Sequence, residues 1–399
     1  MGDHNMKKLL LASAAMALCA SGAMAKEVKI GIVLGFTGPL ESTAPPMADA
    51  AKMAIAEVDK SGEFFNGEKI VGVKGDSTCI DSTAAVATAE RLVTADHISG
   101  IMGAMCSGAT GSILQNVARP NGVVMISPSA TSPALSTAPD DGLFFRTAPS
   151  DARQGQIIAK VLLGDGIKTA ALTYTNNDYG KGLADSFKKA YEAAGGKVTI
   201  SVPHEDGKAD YSAEVGSLAA AGGDILVDAG YADQGGKGIV QAALDTGAFN
   251  KFYFPDGMYG PTLPKAFGKA LDKSIGDVPG TDSPGAKDFF DMAKKAGFDG
   301  TSSFAAESYD AAALIMLAMQ AAKSTDSNVY KTKVMDVANA PGVKIYPGQL
   351  GKAMKLLKEG KDIDYVGASA VELVGPGEAQ GNYRIYGFKN GKRYTIKYM

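Results

Sequence analysis

The chain has 399 residues, 45% of them apolar and 21% charged, a globular composition that excludes disorder and exceeds one ordinary domain. Its net charge of −3, with acids and bases interspersed, argues against a nucleic-acid or anionic-membrane partner, which favours a basic patch. The 49 glycines suit an α/β protein with tight turns and close helix–strand contacts.

The first element in chain order is an export leader. Lys7 and Lys8 precede an apolar run from Leu9 to about Cys19, and Ala23-Met24-Ala25 supplies an A-x-A cleavage site before Lys26-Glu27. The run is too short to span a bilayer. Cleavage after Ala25 sends the mature chain to the periplasm. The alternative is a lipoprotein anchored at Cys19, which the bulky Leu18 disfavours. Without Cys19, Cys79 and Cys106 remain. In an exported protein they read as one disulfide or, failing that, as two buried thiols.

A β-rich run, Val28 to Leu34, opens the mature chain, followed by a turn at Gly35-Phe36-Thr37-Gly38-Pro39. Met47, Ala50, Ala51, Ala54, Ile55 and Val58 then form one face of a helix. The rhythm repeats, with strands ending near Val73, Met102, Ser127, Thr173, Val202, Asp228 and Phe254. Helical stretches lie between most of them, among them Thr83 to Thr94, Gln154 to Leu163 and Ala184 to Ala194. Alternating β and α elements predict parallel sheets covered by helices on both faces. One sheet of so many strands is too wide, so the chain divides near Arg146 to Pro149, after a stretch rich in Pro, Ser and Asp. A second break falls at Gly276 to Gly285. Helix returns at Ser308 to Ala322, and Tyr383 to Tyr398 reads as a hairpin around Asn390-Gly391.

Catalytic signatures are weak. The mature chain holds only His97 and His204, in no H-E-x-x-H pair, and its cysteines are not spaced for zinc. No G-x-S-x-G elbow occurs. Gly235-Gly236-Lys237 fails as a phosphate loop, because Tyr231 stands where the first glycine belongs and Gly238 replaces the Ser or Thr. Gly164-Asp165-Gly166 lacks the third glycine of a dinucleotide fingerprint.

The strand ends say more, because parallel α/β sheets bind ligands at the carboxyl ends of their strands. Those ends carry Cys106-Ser107-Gly108-Ala109-Thr110, Ser127-Pro128-Ser129-Ala130-Thr131, Asn176-Asn177-Asp178-Tyr179-Gly180, Gly230-Tyr231 and Asp256-Gly257. Hydroxyls and backbone N–H groups near a helix start suit a carboxylate, and a carboxylate beside two tyrosines suits an ammonium group. Any one of these residues is as well explained as a turn or cap. The set is not.

In their order and spacing these segments resemble the type I periplasmic solute-binding proteins of ABC transporters, in the branched-chain amino acid (Leu/Ile/Val) group. The likeness begins at Val28-Lys29-Ile30-Gly31 and Thr37-Gly38-Pro39. It runs through Asp76-Ser77-Thr78-Cys79, Cys106-Ser107, Ile126 to Pro133, Asp178-Tyr179-Gly180, Gly230-Tyr231 and Pro255-Asp256-Gly257 to Tyr365-Val366-Gly367-Ala368-Ser369. It implies two lobes joined by three crossovers, 26–147 with 280–382 and 148–279 with 383–399. A solute is captured between them and delivered to a membrane permease, by a monomer that makes no bond and holds no cofactor or metal. By the same likeness Ser107 and Thr131 bind a ligand carboxylate with backbone help at Ser129. Tyr179 and Tyr231 give the second lobe's aromatic contacts, Asp256 takes an α-ammonium where the family often has glutamate, and Cys79 and Cys106 form the family disulfide. Glu41, Pro45 and Pro46 stand where an aromatic contact is common, which leaves the side-chain preference open. The implied ligand is an aliphatic or small α-amino acid. The alternatives are an organic acid or amide on the same fold, a periplasmic ligand sensor, or a hydrolase.

Overall fold

The computed structural model describes residues 27–399, so the export leader and cleavage site expected from the sequence lie outside the described residues. The first half of the chain lays down β1 (Glu27–Leu34), α1 (Ala44–Ser61), β2 (Lys69–Asp76), α2 (Ser82–Thr94), β3 (Gly100–Gly103), α3 (Ser107–Ile113), β4 (Met125–Ser127) and β5 (Phe144–Arg146). The pattern then recurs as α4 (Asp151–Gly164), β6 (Thr169–Thr175), α5 (Asp178–Ala193), β7 (Lys197–His204), α6 (Ser212–Ala221), β8 (Ile225–Ala229), α7 (Gly235–Thr246), β9 (Phe252–Phe254) and β10 (Ile275–Pro279). After α8 (Pro284–Ala296) and α9 (Ala305–Ala322) come β11 (Val343–Ile345), β12 (Ile363–Tyr365), β13 (Leu373–Val374), β14 (Glu378–Ala379), β15 (Tyr383–Lys389) and β16 (Lys392–Tyr398).

These strands build two seven-stranded sheets, ordered β13-β14-β5-β4-β3-β1-β2 and β16-β15-β10-β9-β8-β6-β7, and a small pair β11-β12. Each large sheet contains the parallel order 2-1-3-4-5, so each has a switch point, at β1/β3 and at β6/β8, where successive connections leave on opposite faces. The chain passes from the first sheet to the second after β5, back after β10, and over again between β14 and β15.

Local chemistry explains the main elements. In α1 the predicted face is buried; Pro45 and Pro46 fall in its first turn, where a missing N–H costs nothing, and Gly62 ends it in the left-handed conformation. Asp81 caps α2 by accepting from the N–H groups of Thr83 and Ala84. The helix α9, nearly all apolar, is buried over most of its length between α1 and the ends of β3 and β4. The hairpin β15–β16 turns at Asn390-Gly391, both at positive φ, and their N–H groups donate to the Asp272 carboxylate at 3.0 and 2.8 Å.

Two expectations change. Ala184 to Ala194 is the back of a longer helix: α5 starts at Asp178, because the Asn177 side chain accepts from the Gly180 N–H at 3.0 Å and starts the helix one residue past the strand loop. The stretch before Arg146 contains a strand, β5, whose three residues are too few for periodicity to show among flanking Pro and Asp. Among the described residues no helix is long and apolar enough to cross a membrane.

Candidate ligand-binding site

The two switch points face each other across a narrow cavity. From the first sheet it is walled by Leu40 and Thr43 after β1, Met105, Cys106 and Ser107 after β3, and Ser129 after β4. From the second come Tyr179 after β6, Tyr231 after β8 and Asp256-Gly257 after β9. Ser303 and Phe304, just before α9, close the remaining side. The free volume for water-sized spheres is only ≈20 Å³.

On the first side, hydroxyls brace the loops. Ser127 Oγ accepts from the N–H groups of Ser129 (3.3 Å) and Ala130 (2.9 Å) and donates to the Ala104 carbonyl at 2.6 Å. Ser129 Oγ donates to the Met105 carbonyl at 2.8 Å, so its lone pairs remain for a donor while its N–H is already committed. Ser107 Oγ accepts from the Ser132 N–H at 3.1 Å, which leaves its own proton free to give. Thr131 is buried, with its hydroxyl unpaired, but it is not among the residues that wall the cavity. Its carbonyl accepts from the Asp151 N–H at 2.9 Å. Beneath this loop sits the fully buried Arg146 at the end of β5. Its guanidinium donates to the carbonyls of Ala130 (3.0 Å) and Ser132 (2.9 Å), to Ser136 Oγ (2.8 Å) and to Glu378 (2.5 Å). Tethering those carbonyls inward fixes the orientation of the loop that carries Ser129 and Thr131.

A disulfide joins Cys79, after β2, to Cys106, immediately before Ser107, with Cα atoms 5.1 Å apart. The two buried thiols held open in the sequence reading are therefore excluded.

On the second side, Tyr179 and Tyr231 stack with ring centroids 5.2 Å apart and planes 10° from parallel. The Tyr179 hydroxyl donates to Asp256 Oδ1 at 3.2 Å and accepts from the Gly257 N–H at 3.1 Å. Gly257 is obligatory in this arrangement, since a Cβ there would lie 2.7 Å from the Tyr179 hydroxyl and 2.6 Å from the Gly230 carbonyl. Burial pushes the Asp256 carboxyl up to about 6, partly offset by hydrogen bonding from Gln154 and Tyr179. Behind it lie Asp151 and Asp277, both fully buried and raised well above the ordinary carboxylate range, chiefly by burial and next by the neighbouring Asp256. Gln154 Nε2 donates to Asp277 Oδ2 at 3.1 Å. No Lys or Arg forms an ion pair with Asp256 among the described residues. The wall is therefore acid-rich on the second side and hydroxyl-rich on the first.

Five of the six predicted ligand residues meet in the cavity: Ser107, Ser129, Tyr179, Tyr231 and Asp256, with Thr131 one layer back. Leu40, Thr43, Met105, Ser303 and Phe304 escaped the sequence reading. Phe304 sits at φ +58°, in the left-handed region, at the head of α9, and no local periodicity marks such a position. Glu41 is exposed and Pro45 and Pro46 shape the start of α1, so the turn after β1 contributes Leu40 and Thr43 instead.

Other singled-out residues serve packing. His204 is buried, with Nδ1 2.8 Å from Thr173 Oγ1, and burial pushes its imidazole down to about 4. A Cβ at Gly236 would strike the Met258 sulfur and one at Gly238 the Tyr211 ring, which accounts for the glycine run at the start of α7. No group of three or more His, Cys, Asp or Glu among the described residues is arranged to hold a metal ion.

Opposed switch points with a ligand-sized set of polar groups between them describe a fold made for binding, and the sequence matches a model of the periplasmic binding proteins over residues 27–355. The chain belongs to that family. A relative in Pseudomonas aeruginosa, a leucine-, isoleucine-, valine-, threonine- and alanine-binding protein, is 28% identical over 88% of this chain and 92% of its own. Among solved structures, a leucine-binding protein from Thermotoga maritima superposes with a TM-score of 0.79 at 21% identity, covering 93% of this chain and 98% of its own. A solute-binding protein of an ABC transporter from R. palustris, in complex with 4-hydroxybenzoate, superposes with a TM-score of 0.73 at 18% identity, covering 94% and 97%. Family members are receptors rather than enzymes. The fold itself does not choose between an amino acid and an aromatic acid.

Proposed function

We propose that this periplasmic binding protein captures an α-amino acid with an aliphatic or small side chain between its lobes and delivers it to the permease of an ABC importer. The lobes are residues 26–147 with 280–382 and 148–279 with 383–399, the leader is cut after Ala25, and the mature receptor acts in the periplasm as a monomer without a nucleic-acid partner. Asp256 carries the reading. A carboxylate 4% exposed, without a cationic partner among the described residues and backed by two more buried acids, is costly until a cation arrives. An α-ammonium is such a cation, and Tyr179, Tyr231 and the lone pairs of Ser129 Oγ complete its surroundings. Across the cavity, the free proton of Ser107 suits the α-carboxylate, with Thr131 one layer behind it. Leu40, Met105 and Phe304 offer an apolar lining to the side chain.

With so little free volume, an amino acid enters only when the lobes part, so the three crossovers act as the hinge. Thermal-shift screening of the purified mature protein against the amino acids, simple amides and organic acids tests this. A ligand at 100 times its dissociation constant adds about 2.7 kcal/mol. The reading expects aliphatic amino acids to give the largest rise, and a response confined to organic acids would replace it.

A further inference from the structure

The loops around the cavity are also tied together outside it. Asp233 lies two residues after Tyr231, half-buried, in the connection from β8 to α7. Its carboxylate accepts from the Ser42 N–H at 2.9 Å and from Ser42 Oγ at 2.9 Å, and also from the hydroxyl of Thr262. Its N–H donates to the Pro39 carbonyl at 3.2 Å. Pro39 and Ser42 belong to the turn after β1 of the first sheet, whereas Asp233 and Thr262 belong to connections of the second. Three of the four contacts therefore cross from one lobe to the other, while Thr262 holds the carboxylate in aim from its own side.

Neither Ser42 nor Asp233 walls the cavity, yet their neighbours Leu40, Thr43 and Tyr231 do. The chain approaches closely here, since a Cβ on Gly260 would come within 3.5 Å of Ser42 Oγ. We infer that Asp233 is a positioning residue for ligand capture: it latches the turn after β1 onto the second lobe when the lobes close and so sets how long the ligand stays. The inference rests on the proposed closure around an amino acid. In the open protein Asp233 and Ser42 are hydrated separately, so the latch adds little to encounter. It must break before the ligand leaves, so it acts on dissociation. It also explains the turn without an aromatic contact, in which Ser42 and the Pro39 carbonyl face the other lobe while Leu40 and Thr43 face the cavity.

The experiment uses the full mature protein and L-leucine as the probe, in wild type, Asp233→Ala, Ser42→Ala and the double variant. Stopped-flow displacement gives the dissociation rate, and spin labels at the exposed Lys52 on α1 and Lys188 on α5 report lobe separation. Losing hydrogen bonds to a charged acceptor predicts dissociation from Asp233→Ala faster by about 10-fold to 100-fold, with association changed less than about 3-fold. Ser42→Ala keeps its backbone bond and shows a smaller effect, which disappears in the Asp233→Ala background. Unchanged dissociation, or effects of the two substitutions that simply add, overturns the latch while leaving the amino-acid reading intact. If wild type binds neither leucine nor any other aliphatic or small amino acid, that reading fails instead. The latch is then judged by the label distances alone: a smaller closed fraction in Asp233→Ala supports it, and identical distributions overturn it.

Discussion

Asp256 sets function against stability within one side chain. An exposed aspartate ionises near pH 3.9, about two units below the value of about 6 that burial imposes here. The folded protein therefore holds this proton more tightly than the unfolded chain, and stability falls as pH rises from about 4 to about 6. Two units correspond to about 3 kcal/mol. Asp256→Asn removes that cost, so the ligand-free variant should melt higher than wild type at pH 7 and equally at pH 4, as calorimetry would show; a lower melting point at pH 7 would mean that the charge is already compensated. The same substitution should weaken amino-acid binding by roughly 2–4 kcal/mol, through the lost charge-assisted bond. With Asp256 as the proposed ammonium partner, the proton competes with the ligand, so affinity should drop about tenfold per pH unit below about 6, with proton release on binding. Isothermal titration in buffers of different ionisation enthalpy measures both; flat affinity from pH 7 to 5 would exclude Asp256 as the ammonium partner. Arg146 makes the opposite case. Arg146→Ala strands the Glu378 carboxylate and two carbonyls, and should cost roughly 3–5 kcal/mol in denaturant unfolding. A loss below about 1 kcal/mol would show that water replaces the guanidinium.

Among the elements, the loops after β3 and β4 are held in place by the disulfide, by Ser127 and by Arg146. The Cys79–Cys106 bridge closes a loop with a sequence separation of 27, for which chain entropy gives roughly 3.5 kcal/mol. A Cys79→Ala/Cys106→Ala protein should lose about that much in urea unfolding and bind ligand more weakly, because the residue before Ser107 is freed. Undiminished stability would show that the denatured chain is already restricted there. How much of this could be read beforehand depended on where each residue falls. Ser107, Ser129, Tyr179, Tyr231 and Asp256 follow strands with clear apolar runs, so the strand-end rule finds them. Leu40 and Thr43 sit on a turn whose direction depends on the other lobe, and Ser303 and Phe304 precede a helix remote in sequence from every strand they approach. Asp178 and Tyr179 read as loop because a cap, Asn177, starts α5 without any change in apolar period. The short β5 was hidden for want of length, and Arg146 looked like a boundary although its role is to hold the loop beside it.

Across the whole molecule, two sheets of the same strand order face each other with their switch points aligned, and three passages of the chain between them leave one shared cleft. The βα rhythm implied parallel sheets, but their shared strand order 2-1-3-4-5 and the facing of the two sheets are tertiary facts that no local pattern encodes. In the proposed closure over this small cavity, recognition and release are separate: charge and shape are read inside, and the inferred latch sets retention at the rim. In the proposed function the cavity reads an amino acid by its ammonium group. Titration calorimetry of the wild-type protein at pH 7.5 with L-leucine and with 4-methylpentanoate, the same molecule without its amino group, tests it most directly. Leucine should bind, and the deaminated acid should bind at least about 30-fold more weakly, the loss expected for about 2 kcal/mol. Equal or tighter binding of 4-methylpentanoate would contradict it.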